Sequence, residues 1–286
     1  MSRRHLLMLL ALAAIWGSSF LFIELALRDL APSTLILLRM GSGAVALGIY
    51  IVARGRSVAV LRPYVLPLAL LGLVNTALPF FLIAWGQQYI DSGLASIFNA
   101  SAPLFTAVFA LGYDRSQRAS GARLAGIVLG FGGVVALVGF ELSGGERAVA
   151  GGLAVVAASA CYAIGGLYAG RRFDGLPPSL VAFGALIWST LFVLPFGVAQ
   201  GSSIGLEALL SVLYLGVLAT GVGYLLYFGL IAGAGAAKAV LVTYLVPSLA
   251  LVYGAAFLDE EITAVAVLGL MLVLAGVALG TGTVRR

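Results

Sequence analysis

Apolar runs of roughly twenty residues follow one another along this chain, with hardly a charge inside them and only short joints between. That pattern leaves few folds open. A bilayer core offers no water to the backbone, so each run must close its own hydrogen bonds as a helix or join a closed barrel. Their length, roughly 20 apolar residues, is that of a spanning helix. At about 1.5 Å of rise per residue, they fall at 5–25, 34–53, 65–87, 92–113, 122–140, 150–170, 179–199, 208–230, 237–257 and 263–282. Charged residues are 9% of the 286, against about 25% in a soluble domain, too few to cover a surface facing water. The expected fold is an all-α polytopic membrane protein with ten transmembrane helices.

Joints carry the expected punctuation at Arg54-Gly55-Arg56, Gly144-Gly145 and Gly175-Leu176-Pro177-Pro178. Arg3-Arg4 and the apolar run with Ala11-Leu12-Ala13 resemble a signal peptide, but the run continues to Ile23 and reads as an uncleaved first helix.

With the N-terminus in the cytoplasm, the inner loops and ends hold Arg3, Arg4, Arg54, Arg56, Arg62, Arg115, Arg118, Arg123, Arg171, Arg172, Lys238, Arg285 and Arg286. Arg28 and Arg147 fall outside and Arg39 lies within the second span. This satisfies the positive-inside rule and predicts both ends inside. The net charge of +5 is thus a property of cytoplasmic loops, not a nucleic-acid footprint.

A displacement of 144 positions pairs Gly72 with Gly216, Thr76 with Thr220, Leu82 with Leu226 and Pro103 with Pro247. Asn99 then meets Thr243, and Phe80 meets Tyr224. The chain divides into a five-helix repeat at 1–145 and another at 146–286. An odd number of crossings makes the second enter from the opposite face, so the repeats are inverted. That plan suits alternating-access carriers, with a site near the midplane.

Polar residues recur on single helix faces. The fourth span aligns Ser92, Ser96, Asn99, Pro103 and Thr106, and the third aligns Gly72, Asn75, Thr76, Pro79 and Gly86. Gly216, Thr220, Tyr224 and Tyr227 in the eighth span and Ala236, Thr243 and Pro247 in the ninth answer them. Each stripe alone fits helix–helix glue; together they point to a shared cavity. Carboxamides can donate and accept, which suits Asn75 and Asn99 to a zwitterion. Trp16, Phe20, Phe80, Trp85, Tyr162, Tyr224 and Tyr244 are the aromatic candidates for the same wall. Pro79, Pro103 and Pro247 remove backbone donors within spans and are candidate hinges. Arg39 near the outer side needs a partner, and Glu24 is available. The pair is read as structural; alternatively, Arg39 attracts a substrate carboxylate or Glu24 carries a coupling proton. Glycines 126, 130 and 133, and 269, 276 and 280, are assigned to close packing, within a monomer or across a homodimer.

Chemistry is sparse. One cysteine, Cys161, excludes an internal disulfide. His5, the single histidine, cannot supply an H-E-x-x-H site, and the chain has no G-x-x-x-x-G-K-[ST] loop. Asp259-Glu260-Glu261 is an isolated acidic cluster on the outer side. No enzyme, cofactor or metal is expected.

Trp16-Gly17-Ser18-Ser19-Phe20 with Ala31-Pro32 and Leu38-Arg39 resembles the opening of an EamA-type transporter of the drug/metabolite transporter superfamily. Asn75 to Phe81, Ala95 to Phe105, Gly126 with Gly133, and Val246-Pro247 through Asp259-Glu260 to Gly269 and Gly276 continue the resemblance over the whole chain. It implies two inverted five-helix halves in a bacterial inner (plasma) membrane, a central cavity between the third, fourth, eighth and ninth helices, and export of amino acids or other small metabolites. Two departures stand out. Position 24 is Glu where many members carry a basic residue, and the acidic residue usual after the fourth helix is absent unless Asp114 replaces it. The expected function is export of a small solute, a neutral or aromatic amino acid or related metabolite. The alternatives are a drug or nucleotide-type exporter and a non-transporting lipid-handling protein.

Overall fold

The computed structural model describes residues 1–113, 121–141, 144–198 and 204–280. Among them every regular element is helical. Eight helices are long and apolar enough to cross a membrane: α1 (Arg3–Leu27), α2 (Pro32–Ala53), α3 (Val58–Gly86), α4 (Ser92–Ala110), α5 (Ala122–Phe140), α6 (Glu146–Arg172), α7 (Pro178–Val198) and α8 (Leu206–Ala234). Two shorter apolar helices follow, α9 (Val242–Phe257) and α10 (Ala264–Gly280).

Local chemistry sets the ends. The Ser2 hydroxyl accepts the His5 N–H at 3.3 Å and caps α1. Pro32 and Pro178 open α2 and α7, where a missing N–H leaves nothing unpaired. Glu146 begins α6 and Arg171 and Arg172 end it, each sign matched to the helix dipole. Gly145 and Gly235, both at φ 89°, turn the chain before α6 and after α8 in a region that side chains disfavour.

The two halves pack against each other throughout. A Cβ on Gly17 of α1 would stand 2.9 Å from Leu249 Cβ of α9, and one on Gly86 of α3 would stand 2.7 Å from the Gly151 carbonyl of α6. Hydroxyls tie α7 to α2 and α3: Thr34 donates to the Gly197 carbonyl at 3.0 Å and Ser189 to the Gly72 carbonyl at 2.8 Å. Gly126 and Gly130 of α5 meet Gly280 and Gly276 of α10 backbone to backbone, so these glycines serve packing inside one chain. On the outside, Leu66 is 79% exposed, Val52 76% and Leu206 71%. Such apolar faces suit lipid.

Three details differ from the sequence expectation. α3 begins at Val58, through a 3-10 turn that carries Pro63, rather than at 65. α4 is interrupted at Ala100-Ser101, because Pro103 has no N–H for the Asn99 carbonyl. The span expected at 237–257 divides into a short turn, Ala236–Ala239, and α9. Pro247 lies inside unbroken α9, so the matched prolines do not give matched breaks.

Candidate functional site

A cavity of ≈ 1780 Å³ runs into the bundle between the two halves. Its wall holds Trp16, Phe20, Arg39, Asn75, Thr76, Phe80, Ser96, Asn99, Tyr162, Thr220, Tyr224 and Thr243, with Pro103 and Pro247. It reaches the exposed residues Arg56, Asp174 and Lys238, in the joints after α2, after α6 and before α9. At its other end lie Phe20, Ile23 and Ile83, all buried. The cavity is therefore open at one end of the bundle and closed at the other.

Two widened helical turns shape the wall. In α3, Leu73–Ala77 winds as a π-turn, with the Leu78 N–H bonded to the Leu73 carbonyl five residues back. In α8, Tyr214–Val222 does the same, with the Gly223 N–H on the Leu218 carbonyl. These turns hold Asn75, Thr76 and Thr220. The α3 turn precedes Pro79, which cannot bond the Asn75 carbonyl, while the α8 turn is rich in glycine. The Thr220 hydroxyl donates to the Leu215 carbonyl at 2.9 Å, again five residues back, and so pairs an oxygen within the widened register. Helical periodicity gives no hint of either turn; Pro79 and the Gly216–Gly223 glycines are the available sequence signals.

Arg39 is buried, 4% exposed. Its Nε donates to the Thr220 hydroxyl oxygen at 3.3 Å, and its guanidinium carbon stands 4.0 Å from the centre of the Phe80 ring. The phenols of Tyr162 and Tyr224 are its other polar neighbours. The expected pair with Glu24 does not form. Glu24 instead neighbours Gln87, Glu260, Arg28 and Asp91, beyond the closed end of the cavity, because Arg39 turns inward from α2 toward α8.

The polar stripes divide by role. Ser96, Asn99, Pro103 and Thr106 of α4 line the cavity, but Ser92 lies outside it. Asn75 and Thr76 line it, whereas Gly72 and Gly86 contact α7 and α6. Gly216 abuts Ser42 and the Arg39 carbonyl of α2, while Thr220, Tyr224 and Tyr227 face the cavity. Asn99 Oδ1 is buried with no hydrogen-bond partner, and its backbone carbonyl, freed by Pro103, lies 3.2 Å from the Ser159 hydroxyl. Two aromatic expectations need correction. Trp85 packs on Tyr89 with ring centres 5.0 Å apart, and Tyr244 packs into the core; neither lines the cavity. Pro79 is also off the wall. Asp114 lies outside the described residues.

The closed end has its own polar contacts. Gln87 Nε2 donates to the Phe20 carbonyl at 3.0 Å. Midway along the wall, Trp16 Nε1 donates to the Ala219 carbonyl at 2.9 Å, and its ring leans on Tyr227 with centres 5.4 Å apart. Ser18 and Tyr214 share a hydrogen bond of 2.6 Å. Gln87 and Ser18 were in no cavity stripe, and only the fold brings them to this seal.

The sequence model of the EamA-like transporter family matches residues 3–139 and again residues 149–281. A probable amino-acid metabolite efflux pump of Escherichia coli (strain K12) is 29% identical, covering 96% of this chain and 94% of that protein. An uncharacterized transporter of Bacillus subtilis (strain 168) is 24% identical over 97% of each chain. A probable terminal-alkyne amino-acid exporter of Streptantibioticus cattleyicolor is 29% identical over 92% of this chain and 89% of its own. A solved crystal structure superposes with a TM-score of 0.72 over 100% of both chains at 22% identity, which speaks to the fold alone. These names are those of transporters, not enzymes. With its lipid-suited helices and both halves matched, the chain is a multi-pass membrane protein and belongs to the EamA-like transporter family.

Proposed function

We propose that this protein exports small organic solutes, neutral or aromatic amino acids or related metabolites, across a bacterial inner membrane by alternating access. One observation carries the reading: a large cavity between the two halves is open at one end and closed at the other. In this proposal the chain spans the membrane ten times in two inverted halves with both ends inside. The twofold family match and the corresponding π-turns of α3 and α8 support the inversion. The open end carries Arg56 and Lys238, so the positive-inside rule puts it in the cytoplasm, and the state is inward-facing. Solute enters from the cytoplasm, and the seal around Gln87 and Ser18 must part to release it outside.

The amino-acid class rests on the mixed wall, with aromatic rings beside carboxamides and hydroxyls, and on what two relatives are named for. The test is counterflow in proteoliposomes preloaded with unlabelled amino acids. Accumulation of labelled neutral or aromatic amino acids is the expected result. Silence with these, alongside uptake of nucleosides or cationic drugs, would overturn the substrate class; silence with every solute would overturn transport.

A further inference from the structure

Resting on the carrier reading, we propose that the solute is held through a carboxylate on Arg39, so that the cavity selects carboxylate-bearing solutes over their amides and amines. Arg39 is buried in the cavity wall, and no Asp or Glu among the described residues comes within ion-pairing distance of it. A guanidinium has five N–H donors. One is used, by Nε on Thr220 at 3.3 Å. The Thr220 proton is committed to the Leu215 carbonyl at 2.9 Å, so the oxygen presents lone pairs to Arg39 and fixes its orientation. Among the described residues the four N–H groups of the fork's two terminal nitrogens have no hydrogen-bond acceptor, and Phe80 covers the ion at 4.0 Å.

A structural arginine in this setting would be paired, and the acidic candidate that the sequence offered, Glu24, lies away from it beside Gln87, Glu260 and Asp91. A planar fork with two parallel donors free matches the two oxygens of a carboxylate. The rings of Phe80, Tyr162 and Tyr224 stand around it, with Phe80 and Tyr162 edge to face at 6.0 Å, and would receive the rest of the solute. An amide offers one acceptor and no charge; an amine is repelled.

The experiment pairs neutral and aromatic amino acids with their amides and their decarboxylated amines. Each is assayed by counterflow and by thermal stabilisation of the purified protein, with chloride and inorganic phosphate as anion controls. The amino acids should exchange and stabilise, while amides and amines fall short by about 10- to 100-fold. Arg39→Gln should erase that preference without lowering the melting temperature of the empty protein, since it removes an unpaired buried charge. Arg39→Lys, a point charge without the fork, should restore part of it. Amides or amines carried as well as acids would sink the proposal and leave transport standing. Carboxylate stabilisation lost in Arg39→Gln, without exchange of any solute, would keep the anchor and sink the carrier reading. Equal stabilisation by chloride or phosphate, or none by any carboxylate, would also overturn it.

Discussion

Glu260 closes the N-terminus of α4 from the opposite half of the chain: its Oε1 accepts the Ser92 N–H at 2.8 Å and its Oε2 the Gly93 N–H at 3.0 Å. The helix's own N-cap residue, Asp91, makes no capping bond with its side chain. A carboxylate on a helix N-terminus meets both unpaired donors and the positive end of the dipole. Here it also ties the joint between α9 and α10 to α4 at the closed end of the cavity, so breaking it should ease that end open.

Glu260→Ala leaves two donors unpaired, at a cost of about 1–3 kcal/mol to the closed arrangement. In a Cys161→Ser background, a cysteine at Ile83 should then react severalfold faster with an impermeant maleimide from the outer side. An unchanged labelling rate would show that the cap does not hold this end shut.

Asp91 should give the same end a pH dependence. Burial first, and then the neighbouring Glu260, raise its carboxyl above the ordinary value; Glu24 is its other acidic neighbour. A raised carboxyl favours the protonated form in the closed arrangement. The resulting stabilisation is complete below the ordinary value of 3.8 and is lost as pH rises through the raised one. Labelling of the Ile83→Cys variant from outside, divided at each pH by the rate of a free thiol, should therefore increase with pH across that window, and Asp91→Asn should flatten the ratio. A profile as steep in Asp91→Asn would assign the dependence to another group.

Asn99 stands at the break in α4 with Oδ1 buried and unpartnered on the cavity wall. Asn99→Ala is expected to abolish counterflow while the protein inserts and melts normally, because the side chain makes no hydrogen bond among the described residues. Wild-type exchange in this variant would remove Asn99 from the site.

Gly276 makes room for the backbone of Gly130 where α10 crosses α5. Gly276→Val forces those helices apart and should cost about 1–3 kcal/mol, read as a lower melting temperature in detergent. An unaltered melting temperature would mean that the helices can separate without loss.

The site was partly legible in the chain. Asn75, Thr76, Asn99, Thr220 and Thr243 stood out because an uncharged polar side chain in a long apolar run needs a polar environment, and all five line the cavity. Trp85 and Tyr244 were aromatic candidates for the same wall and do not line it. An aromatic ring is equally at home in a core, and helical spacing alone does not say which neighbour a face meets. Arg39 was conspicuous, but its orientation rests on Thr220, 181 residues away, through a π-turn that shifts that side chain off the regular helical register.

Hydropathy by itself determined that this chain is helical and made for a bilayer, because a backbone without water has to bond within its own segment. Its small residues likewise determined that helices pack closely, since only a missing Cβ lets Gly130 and Gly276 touch. Tertiary structure alone decided that Glu260 caps α4 instead of joining an isolated acidic cluster, and that Glu24 and Arg39 remain apart. Those outcomes depend on which helices are neighbours and how each is rotated. Apolar faces of similar composition leave both choices open, and they are settled by close packing between segments distant in the chain.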